Sequence, residues 1–129
     1  MNITISACWV YGWPAYDIGK CVYDNEAKRS KFYWQDMVYD SPWLACNALS
    51  ESLRRVQKLQ NPEYGGRIFA GSVGGESMIG IKIDAEIGRI NSVPENLEET
   101  KKHMLEIMRQ VGFSDLPGPK LYFIVDVDD

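Results

Sequence analysis

A helix between residues 41 and 60, with recognisable start and stop signals, constrains the fold more than any other feature of this chain. Ser41 can accept a hydrogen bond from a free N–H of the first turn. Pro42 suits the first helical position, because an N–H at that position has no acceptor within the helix and proline lacks this group. Asn61-Pro62 ends the run. Apolar residues recur at spacings of three and four, which predicts one buried stripe formed by Ala45, Leu49, Leu53, Val56 and Leu59.

Three strand-like segments precede this helix. Apolar residues alternate with small or polar ones from Ile3 to Tyr11, and we expect Gly12-Trp13-Pro14 to interrupt that strand because Pro14 cannot donate to a ladder. Segments 16–23 and 32–39 are rich in aromatic and β-branched residues, which predicts a second and a third strand. The short links between the three favour an antiparallel meander.

A hairpin is predicted after the helix. The strand-like segments 67–73 and 78–84 flank Gly74-Gly75, and such a pair between apolar runs is typical of a tight turn. A phosphate-binding loop is the alternative for this stretch, but it lacks the Gly-Lys-Ser/Thr ending, and Glu76 would repel phosphate. The next segment, 87–93, either extends the second strand or crosses an edge of the sheet.

A second amphipathic helix is predicted from about residue 94 to residue 111. Gly112 suits the left-handed residue of a Schellman ending, and Phe113 would then pack on Met108. The apolar run 121–127 has the length of a strand and is a candidate for a central strand covered on both faces.

The element order β-β-β-α-β-β-α-β predicts the α+β class, with a mixed or antiparallel sheet of about five to six strands and two helices packed on one face. Residues 1–129 are expected to form a single globular domain, because no linker, repeat or low-complexity tract divides them. The β-β-β-α start resembles that of the ribonuclease-H fold. Two-metal nuclease chemistry needs carboxylates on adjacent elements to hold both metal ions. The middle of the first strand has Thr4, Ser6 and Cys8 and no acidic residue. The resemblance is therefore compatible only with a relative of that fold that lacks nuclease activity.

The charge balance bears on partners and location. A net charge of −4 disfavours a nucleic-acid role, because such proteins usually carry a basic face. No run approaches the ~20 apolar residues that a membrane span requires, and no signal peptide is visible. Cys8, Cys21 and Cys46 are odd in number and lack CxxC spacing, so we expect reduced thiols and a cytoplasmic location. A Cys8–Cys21 disulfide is conceivable if the first two strands pair.

Groups suited to catalysis are few. His103 is the only histidine, and no nucleophile or orienting acid stands beside it in the sequence. A zinc site would need all three thiols and His103 from distant elements, and the acidic end at Asp126, Asp128 and Asp129 is typical of a solvated tip. The sequence therefore predicts no catalytic residue, no metal, no cofactor and no enzymatic activity.

Aromatic residues are concentrated near the start of the chain, where Trp and Tyr could form an interface. Trp13 and Tyr16 flank Pro14 in a turn that we expect at the surface. The residues predicted to bind a partner are Trp9, Tyr11, Trp13, Tyr16 and Trp34.

Three functional hypotheses follow. The first is a non-enzymatic protein-binding domain, an inhibitor of a basic partner of the immunity, antitoxin or anti-defence type, because acidic complementarity accelerates such encounters. The alternative is a pocket that stacks a nucleotide or a sugar on Trp9, Trp13 or Trp34. A second alternative is a structural subunit whose aromatic face seals a homodimer.

Overall fold

The computed structural model describes residues 4–60, 68–85 and 97–128, and within these ranges the chain forms seven strands and three helices. It belongs to the α+β class, as the sequence predicts. In chain order the elements are β1 (Thr4–Pro14), α1 (Ala15–Ile18), β2 (Lys20–Asp24), β3 (Arg29–Trp34), β4 (Met37–Tyr39), α2 (Pro42–Gln60), β5 (Phe69–Val73), β6 (Glu76–Ala85), α3 (Leu97–Gln110) and β7 (Lys120–Asp128).

The strands form two antiparallel sheets rather than one. The larger sheet has the order β5-β6-β1-β7, and the smaller one has the order β2-β3-β4. The predicted meander is therefore confined to β2, β3 and β4, and the resemblance to the ribonuclease-H start does not hold for β1. The reason is that β1 is 11 residues long and pairs along both of its edges, with β6 and β7, which leaves no edge for β2.

The core lies between the larger sheet, the two long helices and the smaller sheet. Alternate residues of β1 and β6 form what we call the front face, and they share one apolar cluster with α2 and α3. Phe32 and Trp34 of β3 join the same cluster. Both long helices thus pack on one face, as predicted. The buried members include Tyr11, Trp13, Ile79, Ile81, Ile83, Leu49, Leu53, Met104, Ile107 and Met108.

Strand β1 runs through the segment that was expected to interrupt it. Gly12 pairs with Gly80 of β6, and a Cβ at Gly12 would lie 1.9 Å from the Ile79 carbonyl oxygen. Glycine therefore allows a close approach of two backbones here instead of breaking the strand. Pro14 ends β1, and α1 occupies the start of the predicted second strand, which begins only at Lys20.

Helix α2 has the predicted bounds. The Ser41 hydroxyl oxygen accepts a hydrogen bond from the Leu44 N–H at 3.2 Å. The predicted apolar stripe is wrong at one position, because Leu59 is 80 % exposed. Gln57 is buried in its place, and its side-chain amide bonds the N–H and the carbonyl of Ile68, both at 2.8 Å. These two bonds satisfy backbone groups that would otherwise be buried without partners.

Two tight turns shape the hairpins. Gly74 and Gly75 both have positive φ, at 55° and 81°, as the predicted two-residue hairpin requires. The predicted third strand is wrong as a single element, because a turn at Gln35 and Asp36 divides it into β3 and β4. Gln35 has a φ of 53°, and its side chain donates a hydrogen bond to the Val111 carbonyl oxygen.

Helix α3 ends as predicted. Gly112 has a φ of 106°, and its N–H donates to the Arg109 carbonyl at 3.0 Å. The Phe113 N–H donates to the Met108 carbonyl at 2.9 Å, which completes a Schellman motif. The start predicted near residue 94 and the segment 87–93 lie outside the described residues.

The last strand is an edge strand, so the prediction of a doubly covered central strand is wrong. Strand β7 pairs with β1 alone among the described strands. An apolar run is typical of central strands, but here the front side chains Leu121, Phe123 and Val125 are exposed.

The three cysteines, all within the described residues, form no disulfide with one another. Cys8 lies in the larger sheet and Cys21 in the smaller one, so the pairing of the first two strands on which a disulfide depended does not occur. No helix in the described part of the chain has both the length and the apolar character needed to cross a membrane.

Candidate protein-binding surface

The five residues predicted to bind a partner do not share one surface. Tyr11, Trp13 and Trp34 are buried in the core, Trp9 is half-buried, and Tyr16 is 56 % exposed. The structure brings Trp9, Tyr11 and Trp13 to the front face of β1, since they alternate along one strand. Contact of any of the five with a partner stays a prediction, but only Trp9 and Tyr16 offer accessible ring area.

Trp13 is an anchor of the fold. Its side chain is 1 % exposed, so the expectation that it lies in a surface turn is wrong. The indole N–H donates a hydrogen bond to the Pro117 carbonyl at 2.8 Å, which ties β1 to the connection before β7. A buried tryptophan usually finds such a partner for its one donor.

Trp34 links the smaller sheet to the end of α3. Its ring meets Phe113 edge-on, with ring centroids 5.3 Å apart, and contacts Tyr39 and Phe32 in similar geometry. Phe113 follows α3, so this aromatic group fastens the smaller sheet to the end of that helix. The ring is committed to packing and is not available to a stacked ligand.

Tyr16 is the exposed aromatic residue of α1. Its ring packs edge-on against Phe32 at a centroid distance of 6.0 Å. The pKa of its phenol is raised, chiefly by partial burial and to a smaller extent by the neighbouring Cys21 and Glu76. The phenol therefore stays neutral at physiological pH and can donate a hydrogen bond to a partner.

A contiguous apolar surface lies where β1 and β7 meet. Trp9 is opposite Phe123, and the two ring centroids are 5.0 Å apart. Tyr11 is opposite Leu121, and Ala7 is opposite Val125, so the exposed side chains of β7 follow the front face of β1. We call this surface the β1–β7 patch and define it by Ile5, Trp9, Leu121, Phe123 and Val125.

The helices leave the patch open because of where they pack. Helix α2 packs over β5 and β6, which lie towards the sheet edge opposite β7. Burial, and to a smaller extent the charge of Glu98 in the first turn of α3, raise the pKa of the Tyr11 phenol. Phe123 is 53 % exposed, and an exposed apolar row of this kind is a typical mark of an interaction site.

Trp9 carries an unusual feature of this surface. Its indole N–H is buried, and the described residues provide no hydrogen-bond acceptor for it. Most buried side-chain donors have a partner, so an unpaired donor in native structure calls for a physical cause. An acceptor from a molecule seated on the patch would satisfy it after a small rotation of the half-buried ring.

Sequence reasoning missed the contribution of β7. Leu121, Phe123 and Val125 alternate visibly in the sequence. A run of apolar residues, however, does not distinguish a covered strand from an exposed one. Only the position at the sheet edge shows that these side chains face outward.

Other sites offer less chemistry. An open groove of about 420 Å³ lies between α2 and the end of α3, and its lining contains no aromatic ring. His103 is exposed on α3. No three metal-ligating residues come together within the ranges that the structure describes. The residues that line the groove are Ser52, Arg55, Val56, Gln110, Val111 and Gly112.

The chain matches no protein family, no curated protein and no solved structure.

Proposed function

We propose that this chain is a non-enzymatic protein-binding domain whose partner contacts the β1–β7 patch. The observation that carries the proposal is the exposed row of Leu121, Phe123 and Val125 beside half-buried Trp9. Aromatic side chains such as Phe123 and Trp9 are enriched at protein interfaces, and Leu121 and Val125 extend the apolar area around them. The Trp9 indole N–H has no acceptor among the described residues, and a partner's carbonyl oxygen would add a directional contact there.

In its narrower form the proposal is inhibition of a basic target by an acidic domain of the immunity, antitoxin or anti-defence type. The chain has a net charge of −4, and the first turn of α3 is acidic, with Glu98 and Glu99. Opposite charges at the rim of an apolar contact accelerate encounter. Association with a basic partner should therefore slow as salt screens these charges.

The pocket alternative has less support. Trp13 and Trp34 are enclosed by the core, and no tryptophan lines the groove between α2 and α3. Stacking of a nucleotide or a sugar on Trp13 or Trp34 would require the core to open.

Affinity capture from the native host tests the proposal with two matched baits. Phe123→Ser removes a ring that is 53 % exposed in the patch, and Tyr23→Ser removes one that is 57 % exposed on β2. Circular dichroism verifies that both baits fold. We expect the wild type and Tyr23→Ser to capture the same basic protein, and Phe123→Ser to bind that protein, once purified, at least about tenfold more weakly.

Equal affinity of the two variants for the purified partner would contradict the assignment of the patch. Failure of the wild-type bait to retain any protein specifically would remove the protein-binding proposal, and an acidic partner would remove its narrower form.

A further inference from the structure

Among the residues that the structure describes, no strand pairs with the outer edge of β7. The strand pairs with β1 in nine consecutive positions, from Thr4 opposite Asp128 to Gly12 opposite Lys120, without a bulge. It contains no proline, and the five residues that follow Lys120, 121–125, carry no charge. Backbone groups that point away from β1 are thus free to pair, and natural sheets usually block such an edge.

The opposite edge of the same sheet is different. Strand β5 has only five residues, and α2 packs beside it. Short strands and helical cover are two of the usual means by which proteins protect an edge. Strand β7 uses neither of them within the described part of the chain.

The geometry points to a homodimer in which the β7 strands of two copies pair antiparallel. Charge along the strand favours this occupant: Lys120 begins it, and Asp126 and Asp128 stand near its end. In an antiparallel pair of two copies, the basic start of one strand lies opposite the acidic end of the other. In a parallel pair, residues of like charge would lie opposite each other. A second copy therefore complements the edge without any further partner.

Full overlap of the strand fixes the register. The nine-residue strand has Ile124 at its centre, so the two-fold axis passes midway between this residue and its counterpart. Lys120 then stands level with Asp128 of the second copy, and Phe123 stands opposite Val125 of the second copy. The result is a closed, isologous contact and a continuous eight-stranded sheet.

The two-fold axis is perpendicular to the sheet, so the front faces of the copies lie on the same side. The two β1–β7 patches consequently merge into one surface that spans the axis. The pairing uses backbone groups and needs no basic partner, so its failure and the failure of the proposed function are separate outcomes.

Light scattering coupled to size-exclusion chromatography, with sedimentation equilibrium, provides the first test. We expect twice the 14.7 kDa chain mass for the wild type at micromolar concentration. The double variant Phe123→Glu, Val125→Glu places like charges across the proposed register and should weaken the dimer at least about tenfold. The matched variant Phe123→Lys, Val125→Glu replaces the same two side chains with opposite charges and should remain dimeric.

Cross-linking tests the register itself, in a background of Cys8→Ala and Cys21→Ser that removes the adjacent and the exposed thiols. Ile124→Cys places two thiols across the axis on Cα atoms about 4.5–5.5 Å apart, a span that a disulfide bridges. Tyr122→Cys leaves its two thiols roughly 13 Å apart. Oxidation with diamide should therefore give a covalent dimer for the former variant alone.

A wild type that is monomeric at high concentration overturns the inference and leaves the edge to a strand from another protein. A dimer that persists in Phe123→Glu, Val125→Glu, or that cross-links equally at positions 122 and 124, assigns the contact to another surface or register and also overturns it.

Discussion

Trp9 of β1 and Phe123 of β7 lie opposite each other, with ring centroids 5.0 Å apart and ring planes inclined by 49°. Phe123 is exposed, and the Trp9 indole N–H is buried without an acceptor among the described residues. Trp13, two positions along the same face, donates its indole N–H to Pro117. Strand β1 thus carries two tryptophans. The indole N–H of Trp13 is hydrogen-bonded, and that of Trp9 has no acceptor among the described residues.

This difference predicts unequal costs for the same substitution. Trp13→Phe breaks the bond to Pro117 and shortens a fully buried ring, so we expect a loss of about 2–3 kcal/mol in the free energy of unfolding. Trp9→Phe removes a donor that has no partner and should cost about 1 kcal/mol or less. Urea unfolding followed by circular dichroism measures both. Equal losses would contradict the assignment of an unpaired donor to Trp9.

Gln57 should be essential to the junction between α2 and β5. Gln57→Ala leaves the N–H and the carbonyl of Ile68 buried without partners, and we expect a loss of about 2–4 kcal/mol. Lys58→Ala changes an exposed neighbour on the same helix and should stay within about 0.5 kcal/mol of the wild type. Chemical denaturation of the two variants makes the comparison; a small effect of Gln57→Ala would show that water replaces the side chain.

Glycines at two strand positions should differ in their tolerance of alanine. At Gly12 a Cβ would meet the Ile79 carbonyl oxygen and the Gly80 Cα, at 1.9 and 2.7 Å, so Gly12→Ala forces β1 and β6 apart. We expect a loss of about 3 kcal/mol. At Gly71 the nearest atom would lie 3.9 Å away on the Phe69 ring, and Gly71→Ala should be nearly neutral. Thermal unfolding tests the pair, and a tolerated Gly12→Ala would be inconsistent with this close approach.

Cys46 should make stability fall at alkaline pH. Burial raises the pKa of its thiol from 9.0 to about 11 in the folded chain. Between these values the unfolded chain loses its proton while the folded chain keeps it, so stability is complete below about pH 9 and declines as pH rises towards 11. The decline should amount to roughly 2–3 kcal/mol.

Denaturation curves at several alkaline pH values measure this slope, with Cys46→Ala as the control. The variant should lack the contribution of Cys46 and give a flatter profile; an unchanged slope would assign the effect to other groups. In the same pH range, exposed Cys21 should be alkylated in the folded protein, whereas Cys46 should react only after unfolding.

Local features of the fold were predictable from the sequence. Ser41 caps α2, Gly74-Gly75 closes the hairpin, and Gly112 ends α3 as their residue types indicate. Each of these signals acts within a few residues, because a cap, a tight turn or a left-handed residue depends on its immediate neighbours. The α+β class followed from the order of the elements.

The sequence by itself determined the cap of α2, the hairpin at Gly74-Gly75 and the end of α3 at Gly112. Only the tertiary structure decided that β1 lies between β6 and β7, that β7 is an edge, and that Trp13 is interior. The bond from Trp13 to Pro117 joins residues 104 positions apart, and no local pattern encodes such a contact. Side chains alternate in the same way along a covered strand and an edge strand, so exposure at Phe123 depends on which strands and helices pack beside it.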